Sequence, residues 1–395
     1  MVLTDKQEEG LRTAIARYRA GEKYVVISGY AGTGKSTLVK FIIEALDIDP
    51  NDVAYATYTG KAAEVLRKKG CPNAMTTHRL LYEFWPREGG GFYKKPKATL
   101  DYNVIVIDEI SMLPIDMVEL LFSHPVYVIC LGDPFQLPPV EKDTANHLLD
   151  NPHVFLDQIM RQAEESDIIR MSMKIRNGEL LQPYKGNDIQ IVRPTELVTG
   201  MLTWADEVLV ATNAKRVYYN NQIRALLNLP AQPTTGDKVI CLRNYWDDCT
   251  FLGDPIVNGT IGILQHPVEQ KIVYPYFAHT TVKSSQVINT SIKIGESDCI
   301  SEVNIDKNLI NGGDYSLDWR DVYKLGKLKE KYGDYIPREY AYGYAITCHK
   351  SQGSSWEKVL VLEERFPFDK IEHQRWLYTA VTRAEQKCVV VAANS

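Results

Sequence analysis

No run in these 395 residues approaches the ~18 apolar residues of a membrane-crossing helix. The opening MVLTDKQEEGLRTA also lacks the charged-then-apolar pattern of a secretory leader. A soluble, cytoplasmic protein without membrane partners is therefore expected. Cysteines are few, odd in number and scattered: Cys71, Cys130, Cys241, Cys249, Cys299, Cys348 and Cys388 form no CxxC pair. That spacing offers no zinc site and no disulfide framework, and it suits a reducing compartment. There is no excess of positive charge either, since 45 Lys plus Arg face 50 Asp plus Glu. A protein that merely coats nucleic acid is disfavoured by that balance. The charge is segregated, however: Tyr58 to Lys97 holds nine Lys/Arg and three Glu, net +6, leaving −11 elsewhere. Internal repeats and low-complexity tails are missing as well. The length suits two or three domains.

What is present begins with alternating strand and helix signals. Tyr24–Ser28, Val53–Ala56, Val104–Ile107 and Val126–Cys130 read as buried strands, and Ser36–Leu46 carries apolar residues on one helical face. Such alternation predicts an α/β fold with parallel sheets. A helix at Ser166–Arg176 and an apolar run at Glu207–Thr212 follow. From about Gly236 to Asp334 the texture turns to β-type alternation, clearest in Val282–Ile294. Tyr340–Thr347, Lys358–Leu362 and Lys387–Ala392 then return to buried-strand texture.

Gly29-Tyr30-Ala31-Gly32-Thr33-Gly34-Lys35-Ser36 fits G-x-x-x-x-G-K-[ST], between a predicted strand and a predicted helix. Its glycines turn successive N–H groups toward phosphate oxygens, and the helix start adds partial positive charge. Lys35 is expected to reach the β- and γ-phosphates. Gly29, Gly32, Thr33, Gly34, Lys35, Ser36 and Thr37 form the expected nucleotide cradle, with the Ser36 hydroxyl on Mg²⁺. The second carboxylate that such a loop needs ends the run Val104–Ile107. Asp108 is expected to hold Mg²⁺ through water, and Glu109 to act as general base. ATP hydrolysis is the reaction these residues imply.

Further clusters lie in order along the chain. They are Leu3-Thr4-x-x-Gln7, Thr57-x-Thr59-Gly60-Lys61, Thr76-Thr77-His78, Gly132-Asp133-Pro134-Phe135-Gln136-Leu137-Pro138 and Leu156-x-x-Ile159-x-Arg161-Gln162. Near the end stand Ala345-Ile346-Thr347-Cys348-His349-Lys350-Ser351-Gln352-Gly353 and Tyr378-Thr379-Ala380-Val381-Thr382-Arg383. This set resembles the superfamily 1 helicases, most closely the 5′-to-3′ branch with its RecD-type and Dda-type phage enzymes. The resemblance runs from Gln7 to Arg383. It implies two RecA-like P-loop NTPase domains with ATP in the cleft between them. It further implies an adenine contact at Gln7, a γ-phosphate sensor at Gln136, and arginines reaching the γ-phosphate at Arg161 and Arg383. Thr57, Thr59, Lys61, Thr77, His78, Thr347 and His349 match motifs lining a single-strand channel, and Gln352 and Gly353 match the motif that faces both sites.

Two accessory segments complete the expectation. Aromatics flank Glu88-Gly89-Gly90-Gly91, a workable hairpin turn. The resemblance makes this hairpin, at about 80–100, a wedge whose Phe84, Trp85, Phe92 and Tyr93 stack on bases while Lys94, Lys95 and Lys97 meet phosphates. The alternative is that these aromatics pack the hairpin against its own domain. By position, the β-rich stretch corresponds to a small SH3-like insert. The expected division is a first motor domain at 1–150, a second at 151–235 and 336–395, and the insert at 236–335. The expected function is a Mg-ATP-driven DNA helicase moving 5′ to 3′ on single strands and opening junctions. It is expected to act as a monomer in a bacterium or phage-infected host cell, with replication or recombination proteins as possible partners. The direction comes from the resemblance alone. An ATP-gated translocase or clamp that needs a partner for unwinding is the alternative. A small-molecule P-loop enzyme, such as a nucleotide kinase, leaves the C-terminal motifs unexplained.

Overall fold

The computed structural model describes residues 3–86, 92–138, 145–160, 165–251, 255–273, 285–295, 298–316, 336–366 and 369–393, without the side chains of residues 86, 92, 93, 246, 247, 249, 273 and 285. The chain divides into two compact units. One comprises Met1–Leu81, Lys97–Lys215 and Ile346–Ser395, and the other Tyr82–Pro96 and Arg216–Ala345.

The first unit contains two sheets. In the first, the strands lie in the order Ala74–Thr76, Val53–Thr57, Val104–Ile107, Tyr127–Gly132, Tyr24–Gly29, Val154–Leu156, and every neighbouring pair is parallel. Runs such as Val104-Ile105-Val106-Ile107 form these strands because helices cover both faces, so no residue has to alternate toward water. The two short edge strands, Ala74–Thr76 and Val154–Leu156, were not foreseen, because three residues are too few to carry a period. Helix Asp5–Arg19 starts with a reciprocal cap between Thr4 and Gln7. Helix Lys35–Ala45 buries Leu38, Val39 and Ile42 against Val25, Ile27, Val104, Val106 and Ile129. Truncating one of these, as in Leu38→Ala, costs about 2–5 kcal/mol in a packed core.

The second sheet runs Ala345–Thr347, Glu207–Val210, Trp356–Leu362, Ala384–Val391, Ile189–Val192, Tyr184–Lys185. The pairs from Glu207–Val210 to Ile189–Val192 are parallel, and Tyr184–Lys185 closes the edge antiparallel. Helices Asp167–Arg176 and Lys370–Val381 belong to this half, with side-chain caps from Ser166 and Asp369. An α/β fold with parallel sheets is thus what the chain adopts.

The other unit is antiparallel. Asp298–Asp306, Ser285–Ile294, Ile261–Val273, Lys238–Cys241 and Tyr340–Tyr342 form a five-stranded sheet in that order. Its core is Val239, Leu264, Ile288, Ile292, Ile305 and Tyr340. Of the strand expected at Val282–Ile294, residues 282–284 lie outside the described residues. Tyr82–Pro86 pairs with Phe92–Pro96 as a hairpin that packs on Tyr245–Cys249 of the same unit; its expected turn lies outside the described residues.

One expectation needs correction. Tyr340–Thr347 is not a single strand: Tyr340–Tyr342 pairs with Lys238–Cys241, whereas Ala345–Thr347 joins the second parallel sheet. The break falls at Gly343-Tyr344. A side chain at Gly343 would sit 3.0 Å from the Val239 backbone carbon. The Asn220 amide oxygen meanwhile takes both the Tyr344 and Ala345 N–H groups, at 2.9 and 3.0 Å. A uniform apolar run hides a switch made by a neighbouring helix.

Candidate nucleotide site

Strand Tyr24–Gly29 ends where the glycine-rich loop begins. A Cβ at Gly29 would meet Leu156 Cβ and Thr33 Oγ1, both at 2.8 Å, so a side chain does not fit. Gly34 takes a left-handed φ of 78° and supplies no side-chain cap to Lys35–Ala45. The first N–H groups of that helix therefore lack the usual side-chain acceptor and suit an anion. Lys35 Nζ folds back to donate to the carbonyls of Gly29 (2.6 Å) and Tyr30 (3.0 Å). Ser36 is exposed, Thr37 half-buried, and Thr33 buried. Gln7 is buried with its amide already engaged: Nε2 donates to Thr33 O (3.1 Å) and Oε1 accepts from Thr4 N (3.0 Å). It braces the loop, so reading an adenine edge requires it to exchange a partner.

Strand Val104–Ile107 delivers the two carboxylates. Asp108 Oδ1 accepts from the Glu109 N–H at 3.0 Å. Burial pushes the Asp108 carboxyl above the ordinary carboxylate range, Glu109 adds to the rise, and Lys35 pulls it back. Glu109 has a left-handed φ of 54°, uncommon outside glycine, which turns its side chain off the strand direction. Its Oε1 accepts from Arg383 at 3.1 Å, and its Oε2 is buried without a partner. Arg383, only 5% exposed, follows the helix Lys370–Val381 and also donates to the carbonyls of Thr379 and Ser354, both at 3.2 Å. One arginine beside the second sheet thus pairs with the acid at the end of a strand in the first. Arg161 lies outside the described residues.

A family profile described as an AAA domain matches residues 2–191, and one described as a UvrD-like helicase C-terminal domain matches residues 342–391. The ATP-dependent RecD2 DNA helicase of Deinococcus radiodurans is 26% identical over 93% of this chain and 47% of its own length. The chain therefore spans about half the length of that relative. The ATP-dependent DNA helicase dda of Enterobacteria phage T4 is 33% identical over 35% of the chain and 33% of its own length. A Pif1 helicase from Bacteroides, solved with ADP-AlF3 and single-stranded DNA, superposes with a TM-score of 0.50 at 18% identity, covering 100% of this chain and 94% of that one. The chain is a homologue of the superfamily 1B helicases RecD2, Dda and Pif1.

Further contacts join the two sheets, made by motif residues whose partners the motifs themselves do not name. The Tyr378 hydroxyl donates to Asp133 Oδ2 (2.6 Å) and accepts from the Ala31 N–H of the phosphate loop (2.8 Å). Its ring meets Phe135 edge-on at 5.2 Å. Burial and the neighbouring Asp133 carboxylate both push its phenol far above the ordinary range, so it stays protonated. Thr379 Oγ1 accepts from Leu137 N at 2.9 Å, and Gln352 Nε2 donates to Leu137 O. The Arg176 guanidinium stacks 3.6 Å from the centre of the Tyr30 ring. A signal did exist: Tyr378 and Thr379 are polar groups in an otherwise buried helical end with Trp376, Leu377, Ala380 and Val381. Gln136, half-buried, follows on the same loop, its N–H on Asp133 O at 3.4 Å.

The expected strand-contacting residues divide by burial. Thr57, Thr77 and His78 are at most 1% exposed, and Thr347 is 8% exposed. Thr59 caps helix Gly60–Lys68 through Ala62 N (3.3 Å) and donates to Gly353 O (3.0 Å). Gly353, at φ 71°, leaves so little room that a Cβ would lie 3.3 Å from Glu109 Oε2. It thus touches the carboxylate site and Thr59 together. Lys61 is half-buried over the Trp356 ring at 5.7 Å. His349 is half-buried, and burial lowers its pKa against the opposing pull of Glu372. On the hairpin, Trp85 is 49% exposed with its indole N–H on Glu83 (3.1 Å), and Phe84 is half-buried. The side chain of Phe92 lies outside the described residues.

Proposed function

We propose that the chain is an ATP-dependent DNA helicase motor that moves 5′ to 3′ along single-stranded DNA and separates duplex at junctions. The observation that carries this reading is the pair of a buried Arg383 and a half-buried Glu109, which ties the proposed general base to an arginine beside the other sheet. While paired, the acid cannot freely accept a proton and the arginine is held away from phosphate. Binding of ATP gives Lys35 phosphate oxygens in place of the Gly29 and Tyr30 carbonyls, and the N–H groups opening helix Lys35–Ala45 take the rest. Arg383 then moves to the γ-phosphate and frees Glu109 to receive a proton from the attacking water. Hydrolysis removes the shared ligand and lets the pair re-form. Each cycle thereby couples closure of the two sheets to a step along the strand.

Asp108 and Ser36 offer a carboxylate and a hydroxyl, the hard oxygen donors that Mg²⁺ takes. Among the described residues no group of three or more His, Cys, Asp or Glu is placed to hold a metal alone. Such a pair fits an ion that keeps water and phosphate oxygens in its shell, and its role would be to neutralise charge on the β- and γ-phosphates. Within this reading 1–150 forms the first motor domain and 151–235 with 336–395 the second, while 236–335 is the β-rich insert. Gln7, Gln136 and Arg161 keep their nucleotide roles. Lys61, His349, Phe84 and Trp85 meet the strand, and Thr57, Thr59, Thr77, His78 and Thr347 set the loops that carry those contacts.

A single-strand-stimulated ATPase assay tests the core. The wild type is expected to be stimulated by single strands, and Lys35→Ala to fall to background. Activity indifferent to single strands, or kept in the variant, sinks the reading. Tailed duplexes of each polarity test the rest, with opening expected only from a 5′ tail. Translocation without opening would identify a motor that relies on a partner to separate strands.

A further inference from the structure

Helix Asn213–Leu226 carries two buried arginines in opposite situations. Arg224 is 5% exposed and fully engaged: it forks onto Asp237 with two bonds of 2.9 Å and donates to the carbonyls of Pro230, Ala231 and Gln232. Arg216, two turns earlier and 7% exposed, has no such partner. Its Nε is sealed from solvent without an acceptor, and its guanidinium forms no hydrogen bond or ion pair with any described residue. Burial alone lowers its pKa.

Arg216 lines a small cavity with Asn221, Leu309, Gly312 and Tyr342. The Tyr342 hydroxyl is likewise buried without a partner, while the ring carries the Arg224 guanidinium 4.0 Å from its centre. Asn220, between them on the helix, cannot serve. Its amide is used up on the Arg216 and Ala345 carbonyls (both 2.8 Å) and on the Tyr344 and Ala345 N–H groups. Gly312 forms the remaining wall. At φ 89°, with any Cβ only 2.6 Å from Val217 Cγ1, the position accepts no side chain that could close the cavity. The result is a concave spot of about 10 Å³, room for one oxygen atom, in which a full positive charge and the Tyr342 hydroxyl lack partners and no carboxylate balances the charge.

A lone water would satisfy a hydrogen bond there but leave the charge unpaired, and an isolated buried charge is costly. The missing component is an anionic oxygen. The exposed rim on the same helix carries Asn221 and the 52%-exposed Tyr218, an amide and an aromatic face of the kind that lie along nucleic-acid backbones and bases. We infer that Arg216 and Tyr342 form a phosphate-binding notch in the β-rich unit that takes one backbone phosphate of a single strand. The notch rests on the proposed DNA-motor reading.

Single-strand affinity of the full chain, measured by fluorescence anisotropy without nucleotide at several salt concentrations, tests it. Arg216→Met is expected to weaken binding about tenfold and to lower the salt slope by about one. Melting without DNA should stay unchanged or rise, since an unpaired buried charge is gone. Arg216→Lys should retain the salt slope while losing part of the affinity. Wild-type slope and affinity in a folded Arg216→Met overturn the notch alone. A wild type that binds no single strand overturns both the notch and the motor reading. Inorganic phosphate and a polyglutamate peptide serve as competitors. Displacement of the strand by polyglutamate at low concentration, without effect of phosphate, would assign the notch to an acidic protein instead and overturn the inference.

Discussion

The two units bury charge in opposite ways. In the unit with parallel sheets, Arg383 pairs with Glu109 and Tyr378 with Asp133 across two separate sheets, so under the proposed reading each bond is an alternative to a contact with nucleotide. In the β-rich unit, Arg224 and Asp237 satisfy one another within a single fold, and Tyr344 adds its hydroxyl to Asp237 at 3.0 Å. The difference separates polar networks meant to be exchanged from those meant to persist. Parallel sheets gather their strand ends, and hence their loops, on one edge, where ligands bind. An antiparallel meander spreads its turns over both ends, and its buried ion pair serves the fold.

The comparison can be broken most severely at Arg383. Arg383→Ala should cut single-strand-stimulated turnover by about three orders of magnitude, as loss of an arginine finger does. Its melting temperature should fall only modestly, because the Glu109 side chain remains partly open to water. A turnover within tenfold of wild type in a steady-state assay would mean that the pair is merely structural. The reverse pattern is expected at Arg224→Met. Leaving Asp237 buried and unpaired costs about 3–5 kcal/mol. Denaturant titration should show that loss, with nucleotide affinity of the remaining folded protein unchanged. The smallest effect sharpens the contrast: Tyr378→Phe removes one hydroxyl that joins Asp133 to the phosphate loop. A fall of about tenfold in turnover with nearly unchanged ADP affinity is expected, given ~1.5–3 kcal/mol for a hydrogen bond to a charged group. Equal losses in both would instead make Tyr378 part of the binding cradle.

Much of the fold and of the candidate nucleotide site was legible in the sequence. The phosphate loop and the acids ending Val104–Ile107 announce themselves because each needs a fixed residue type at a fixed distance from a strand, whereas Arg383 stands out only through the resemblance to superfamily 1 helicases. The α/β class followed from apolar runs that only a doubly covered sheet tolerates. What stayed hidden depends on partners distant along the chain. Tyr378 finds Ala31 across 347 positions, and no local pattern encodes that meeting. The Tyr340–Thr347 run looked continuous because its break is imposed by Asn220 from another element. Burial was not legible either: Thr57, Thr77 and His78 match strand-contacting motifs by type, and their types do not report that the fold covers them. Arg216 was invisible for the same reason, since an arginine in a helix reads as a surface charge until its neighbours are known.

The uncapped start of helix Lys35–Ala45 has a dynamic consequence. With Gly34 in a left-handed turn and no side chain to hold the first amides, a bound phosphate is what would complete that helical end. The amides of Lys35, Ser36 and Thr37 should therefore exchange hydrogen with solvent quickly in empty protein and slowly in loaded protein. Residues buried lower on the same helix, such as Ile42, would barely respond. The first turn would then serve as a built-in gauge of nucleotide occupancy, readable without following turnover at all.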